Sequence, residues 1–134
     1  MNQIIRVLLL LISTQSIANA AIPAEIERAI QTASFKYTVP TSIIKAIIQV
    51  ESTFNPYAVS QGNYGLMQVN IRYHRHKFTG SFFKPFDNIM VGTSIYRDCL
   101  NKHHLPRPAL LCYNGSNLRQ AYANKVLVAE RKYL

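Results

Sequence analysis

Ile26, Ile30, Ala33 and Tyr37 recur at intervals of three and four, the spacing that gathers apolar side chains on one face of a helix. Pro23 stands where a helix can begin, so an amphipathic helix is expected from Ala24 to Tyr37. Thr38 to Pro40 interrupts it, and a second helix is expected from Pro40 or Thr41 to about Ser52. Counted from Ile43 at about 100° per residue, Ile43, Ile47, Glu51, Ile44 and Ile48 point to about 0, 40, 80, 100 and 140°. Lys45, Gln49, Ser42 and Ser52 gather at about 180 to 260° by the same count. The β-branched isoleucines would also suit a strand, but strict alternation is absent and paired isoleucines favour the helix. A lone carboxylate, Glu51, thus projects from the middle of an apolar face.

After this helix, Phe54-Asn55-Pro56 and Ser60-Gln61-Gly62-Asn63 mark irregular chain with turns. The piece from Gly65 to Asn70 reads as either extended or helical, and residues 72 to 86 as a surface loop. Asp87 resembles an N-cap for a helix from Asn88 to about Lys102, with Ile89, Gly92, Ile95, Tyr96 and Cys99 along one side. Pro106 and Pro108 introduce a helix from about Ala109 to Tyr113, and Leu118 to Arg131 reads as a last one. With 134 residues and no repeat, low-complexity segment or linker, the expectation is one compact, mainly α domain.

Composition adds a compartment. Residues 1–20 carry a basic Arg6, an apolar run from Val7 to Ile12, and Ala18 and Ala20 around Asn19. That is the pattern of a secretory signal peptide with an A-x-A cleavage site, the alternative being an uncleaved anchor. The working domain is then 21–134, periplasmic or secreted after cleavage near Ala20. Cys99 and Cys112, the only cysteines, are expected to bridge in an oxidising compartment, the alternative being two separate buried thiols. The net charge of +9, less Arg6 after cleavage, attracts anionic polymers: cell-wall glycans with peptide carboxylates, phospholipid surfaces or nucleic acid. Arg72 to Phe78, with His74 and His76, has the look of a nucleic-acid patch or metal site. It lacks helical histidine spacing and a nearby cysteine, so a solvated basic loop is the better reading. His103 and His104 read the same way.

A carboxylate among apolar groups is costly to ionise, so its pKa rises and it holds a proton near neutral pH. That is what a general acid needs to protonate a glycosidic oxygen. Alternatively, Glu51 snorkels to solvent or pairs with a lysine. Glu51-Ser52, Phe54-Asn55-Pro56, Ala58, Ser60, Gly65-Leu66-Met67-Gln68, Asp87-Asn88-Ile89 with Gly92 and Tyr96, then Cys112-Tyr113-Asn114-Gly115 and Tyr122 form an ordered set. It resembles the lytic transglycosylases with a goose-type-lysozyme-like catalytic domain, over nearly the whole chain after residue 20. Where that family often has Ala-Tyr-Asn-Ala-Gly, this chain has Cys112-Tyr113-Asn114-Gly115-Ser116.

The resemblance implies a lysozyme-like domain with a substrate cleft. The implied reaction cleaves peptidoglycan between N-acetylmuramic acid and N-acetylglucosamine without water, leaving a 1,6-anhydro ring. By similarity Glu51 is the acid/base and Tyr113 hydrogen-bonds and orients it. Asn114 and Gln68 hold N-acetyl or hydroxyl groups, Ser52 and Tyr122 line the pocket, and Met67 shapes the sugar-binding wall. Met67 and Tyr122 could also be ordinary core, and Gln68 could serve backbone groups in its turn. The implied partners are glycan strands, with no metal, cofactor or nucleic acid. Brevity is similar to the compact members that serve secretion, conjugation or pilus machines, and the protein is expected to be a monomer.

The acids offer an independent check. A usual glycoside hydrolase flanks the bond with two carboxylates. Besides Glu51 there are only Glu25, Glu27, Asp87, Asp98 and Glu130. Glu25 and Glu27 sit at a helix start, Asp87 reads as a cap or, less simply, as a second catalyst, Asp98 lies beside Lys102 on a helix, and Glu130 is near the C-terminus. With one carboxylate, the sugar's own N-acetyl and C6 hydroxyl groups must supply what is missing. Three other readings stand beside this one: a water-using muramidase on the same fold, a glycan-binding scaffold with a spent site, and a basic nucleic-acid binder that leaves Glu51 unexplained.

Overall fold

The computed structural model describes residues 20–116 and 118–134; the expected signal peptide, residues 1–20, lies outside them but for Ala20. Helix α1, Ala24–Tyr37, and helix α2, Thr41–Ser52, follow the periodicity of their isoleucines. Each ends on a threonine in the left-handed conformation, Thr38 and Thr53. Phe54 is left-handed as well, with φ 61°. Non-glycine residues rarely accept that region, and the two together turn the chain sharply out of α2 just past Glu51 and Ser52.

Three two-residue strands follow, β1 Val59–Ser60, β2 Asn63–Tyr64 and β3 Val69–Asn70, in a small antiparallel sheet of that order. Val59 pairs with Tyr64, and Tyr64 in turn with Val69. Gly65 to Asn70 is therefore a turn ending in a strand. The stretch expected as loop opens with α3, Ile71–His74, and a 3-10 turn, Arg75–Lys77. Helix α4, Pro85–His103, starts before Asp87, which lies in its first turn and is not the cap. Proline fixes φ and has no N–H to lose, so the helix begins there; Asp87 still faces the favourable end of the dipole. Helix α5, Pro106–Asn114, starts on a proline for the same reason, and α6, Gln120–Glu130, precedes a final 3-10 turn, Arg131–Tyr133. Among the described residues the protein is mainly α, and no helix there is long and apolar enough to cross a membrane.

α1 packs on α4, α4 on α5, and α2 on α6. Ile30, Ile44, Ile47, Ile48, Ile89 and Leu110 are fully buried between them, removing apolar surface that contributes about 2 kcal/mol per side chain. The polar side of α2 is not left to water. Ser42 is buried and donates to Glu130 Oε1 at 2.9 Å, Tyr133 donates to Gln49 Oε1 at 2.5 Å, and Lys45 pairs with Glu27 at 2.9 Å. Asp98, expected beside Lys102, instead meets Lys77 Nζ at 3.4 Å, an exposed pair of small energetic consequence. Cys99 and Cys112 are joined, tying α4 to α5 with Cα atoms 5.8 Å apart. In the chain-entropy view this bridge contributes about 3 kcal/mol.

The segment between β2 and β3 is held from beneath by Asn88, a fully buried polar residue. Its Oδ1 accepts from Met67 N–H at 2.8 Å, while Nδ2 donates to the carbonyls of Tyr64 and Phe82 at 2.8 Å. Gly65, at φ +75°, has no alternative: a Cβ there would lie 2.4 Å from Asn88 Nδ2. Asn88→Ala leaves these backbone groups without partners and should lower the unfolding free energy by about 3 kcal/mol. Urea denaturation checks it, and an unchanged midpoint would contradict the role given to Asn88.

Candidate active site

Glu51 occupies the last turn of α2, on a helix whose position is set by six buried neighbours in the same element. The packing of α2 against α6 brings Tyr122 to it: the phenol donates to Glu51 Oε1 at 2.6 Å. Burial pushes the Glu51 carboxyl up from 4.5 to about 7, against the opposing pull of the Tyr122 hydrogen bond. A carboxylic acid thereby carries its proton for a substantial share of the time at neutral pH. The tyrosine hydroxyls stay protonated: burial, then the Glu51 charge, raises Tyr122 and Tyr113 alike.

Tyr113 does not bond Glu51 as the resemblance implied. Its hydroxyl donates to the Met67 carbonyl at 2.7 Å, because a buried turn carbonyl needs a donor and α5 delivers this one to it. Ser52 likewise turns its hydroxyl to the Leu66 carbonyl, at 2.7 Å. Met67 is fully buried; a Cβ on Gly92 would come within 2.6 Å of its sulfur, so it backs the site from the core side. Gln68, left-handed at φ 47°, is held in that conformation by Nε2 donating to the Ala58 and Gly65 carbonyls, both at 3.0 Å.

Two cavities open at Glu51. The larger, about 640 Å3, has Glu51, Gln68, Tyr113 and Asn114 in its wall, and the second, about 530 Å3, has Glu51, Asn114 and Tyr122. Glu51, Asn114 and Arg119 border both, so the acid stands where the two meet. Asn114 Oδ1 is buried with no partner among the described residues, an acceptor left open at the junction.

Cations frame both openings. Lys102 and Arg119 border the larger cavity, Arg119 and Lys125 the smaller. Asp98 also borders the larger cavity, mostly exposed and beside Lys77. Asp87 is turned to Gly80 and lines a separate hollow, which removes it as a partner for Glu51. No group of three or more histidine, cysteine or acidic residues that could hold a metal occurs among the described residues.

Sequence reasoning missed Tyr73, His74, Lys102, Arg119 and Lys125. Nothing in their spacing points inward, and His74, read as part of a wet basic loop, is half-buried at the larger cavity.

The chain was compared with known proteins. The family described as the transglycosylase SLT domain matches residues 28–131. A membrane-bound lytic murein transglycosylase C of Photorhabdus laumondii subsp. laumondii is 58% identical over 41 residues, covering 30% of this chain and 12% of that protein. The protein of the same name from Shigella sonnei is 38% identical over 106 residues, covering 64% of this chain and 30% of its own length. The chain thus spans less than a third of either relative.

A carboxyl whose proton is bound more tightly in the folded chain contributes stability that is complete below about pH 4.5 and lost as pH rises through about 7. Glu51→Gln cannot ionise, so it should gain on the parent across that interval by on the order of 3 kcal/mol. Urea unfolding at either end of the range measures the gain; a difference that ignores pH would refute the burial of this carboxyl. Tyr122→Phe removes the bond that favours the anion and should move the Glu51 titration further upward, read by carboxyl 13C NMR.

Proposed function

Because this chain belongs to the transglycosylase SLT domain family, we propose that it is a peptidoglycan lytic transglycosylase, with Glu51 as its single acid/base. The observation that carries this reading is the partly buried Glu51, its carboxyl pushed up to about 7, at the meeting point of two cavities. A glycan strand lying through both would put one glycosidic bond beside the carboxyl. The names of the relatives, lytic murein transglycosylases, support the same substrate, and the basic rims suit its stem-peptide carboxylates.

The reaction follows from one carboxyl working twice. Protonated Glu51 gives its proton to the leaving oxygen of N-acetylglucosamine as the bond from C1 of the muramoyl residue breaks. The muramoyl acetamido oxygen stabilises the cationic C1. Glu51, now ionised and steadied by Tyr122, takes the proton of the C6 hydroxyl, whose oxygen closes on C1. That hydroxyl is already in the molecule, so its effective concentration exceeds that of water in the cleft. Proton and charge return to their starting state without a metal or cofactor. Asn114, with its open acceptor, and Gln68 hold acetamido or hydroxyl groups, and Tyr113, Ser52 and Met67 keep the wall in register.

Export to the periplasm or outside the cell, action as a monomer, and local opening of the wall for a secretion, conjugation or pilus machine complete the proposal. Export rests on the basic residue, apolar run and A-x-A pattern of residues 1–20.

Digestion of purified sacculi followed by mass spectrometry should yield anhydro-muropeptides, each lighter by one water than the hydrolytic product. Reducing ends in their place would make the protein a muramidase, and no product a glycan-binding scaffold. Activity should fall as pH rises through about 7, because the acid form is needed at the start. Glu51→Gln should fold and lose on the order of 10²- to 10⁴-fold in rate; full activity in that variant rejects the mechanism.

A further inference from the structure

The end of α5 carries two residues of the site, Tyr113 and Asn114, and has little of its own to hold it. The helix has nine residues, fewer than the roughly 12 to 15 that an isolated helix needs in water. Ala109, Leu110 and Leu111 anchor its middle in the core. Beyond them Cys112, Tyr113 and Asn114 are only half-buried, and the helix stops at Gly115, at φ +79°. Asn114 Oδ1 has no partner among the described residues, so that oxygen is placed by the backbone beneath it and not by a bond of its own.

Helix α4 grips this end at two neighbouring points. Cys99, buried, is bonded to Cys112. Tyr96, one turn earlier on α4, meets the Tyr113 ring edge-on with centroids 6.3 Å apart. The Tyr113 hydroxyl in turn reaches the Met67 carbonyl at 2.7 Å. Contacts thus run from α4 through the bridge to the Gly65–Gln68 turn, and to Asn114 two residues past Cys112. Edge-on rings slide and tilt at small cost, whereas a disulfide allows its Cα atoms only a narrow range of separation. Where the family often has alanine, this chain has Cys112, so the tie is a feature of this chain and not a requirement of the fold.

We propose that Cys99 and Cys112 are positioning residues: their bridge holds Tyr113 and Asn114 in place beside Glu51, so the enzyme works in its oxidised form and loses activity when the bridge is opened, before it unfolds. The inference rests on the reading of Glu51 as acid/base and adds a redox requirement to it. Joined sulfurs belong to an oxidising compartment, so a chain still reduced is held inactive. A small reagent has a way to the bridge, since Cys112 borders the larger cavity and a further hollow of about 240 Å3. Opening by a dithiol breaks the sulfur–sulfur bond, leaves a hydrogen on each cysteine sulfur and closes the reagent's two sulfurs into a disulfide of its own. With the tie gone, the end of α5 moves off Glu51 and water takes its place, which favours the carboxylate.

The test compares the oxidised parent with the same chain reduced by dithiothreitol and with Cys99→Ala/Cys112→Ala, at a temperature where circular dichroism shows each to be folded. Turnover of purified sacculi by both unbridged forms should fall on the order of 10- to 100-fold, and reoxidation of the reduced parent should restore it. The Glu51 titration, read by carboxyl 13C NMR and independent of turnover, should move down from about 7 toward 4.5 in both. A bridge that only stabilises would lower the thermal midpoint and leave rate and titration as in the parent. That result overturns the proposal, as does unfolding of both unbridged forms, which would make the bridge a requirement for folding. If the oxidised parent releases no muropeptides, the cell-wall reading fails, while the titration still decides whether the bridge places the residues around Glu51.

Discussion

The site depends on what surrounds one carboxyl. Glu51 is carried at the end of a helix whose apolar face, Ile43, Ile44, Ile47 and Ile48, is buried in the core and fixes where its backbone lies. Burial removes most of the water that would stabilise its anion, and the hydroxyl that reaches it, from Tyr122, only partly replaces that water. The result is an acid near neutrality with no lysine or arginine bonded to it among the described residues. A cation at that distance would have turned the same residue into a permanently ionised structural group.

The second wall of the site is the turn from Gly65 to Gln68, and it is held by side chains from elements far apart in the chain. Ser52 from α2, Asn88 from α4 and Tyr113 from α5 each bond a main-chain group there. Gly65 and Gly92 leave room for Asn88 and Met67 to lie against it. The turn is too short for its own ladder, so its polar groups take partners from neighbours. That arrangement keeps Gln68 and Glu51 in one cavity wall. Ser52 and Tyr113, which the resemblance assigned to the pocket and to Glu51, thus bond main-chain groups of this turn.

The basic character of the protein is also distributed by the fold. Lys45 and Lys77 are engaged with carboxylates, and Arg97 donates to the Tyr37 carbonyl at 2.8 Å and to the Thr38 carbonyl. Lys102, Arg119 and Lys125 are left at the cavity rims. These cations give the cavity entrances a positive field, which attracts anionic groups.

The helical periodicity of Ile26 to Tyr37 and of Ile43 to Ile48 was enough to place α1 and α2 and to put Glu51 on an apolar face, since a helix repeats its geometry every turn whatever it packs against. Helix starts at Pro85 and Pro106 lay upstream of the expected ones, because capping signals such as Asp87 compete with proline's own preference, and the chain alone does not rank them. The Gly65–Asn70 segment was open between extended and helical forms because several of its main-chain groups bond to Ser52, Asn88 and Tyr113, which are distant along the chain. For the same reason the pattern could not tell which tyrosine bonds Glu51, or that His74 in a run of charges turns inward. Local sequence determined where the helices run and which acid is out of place; only the packing of α2, α4, α5 and α6 decided who touches that acid, because such contacts join residues whose separation along the chain carries no periodic signal.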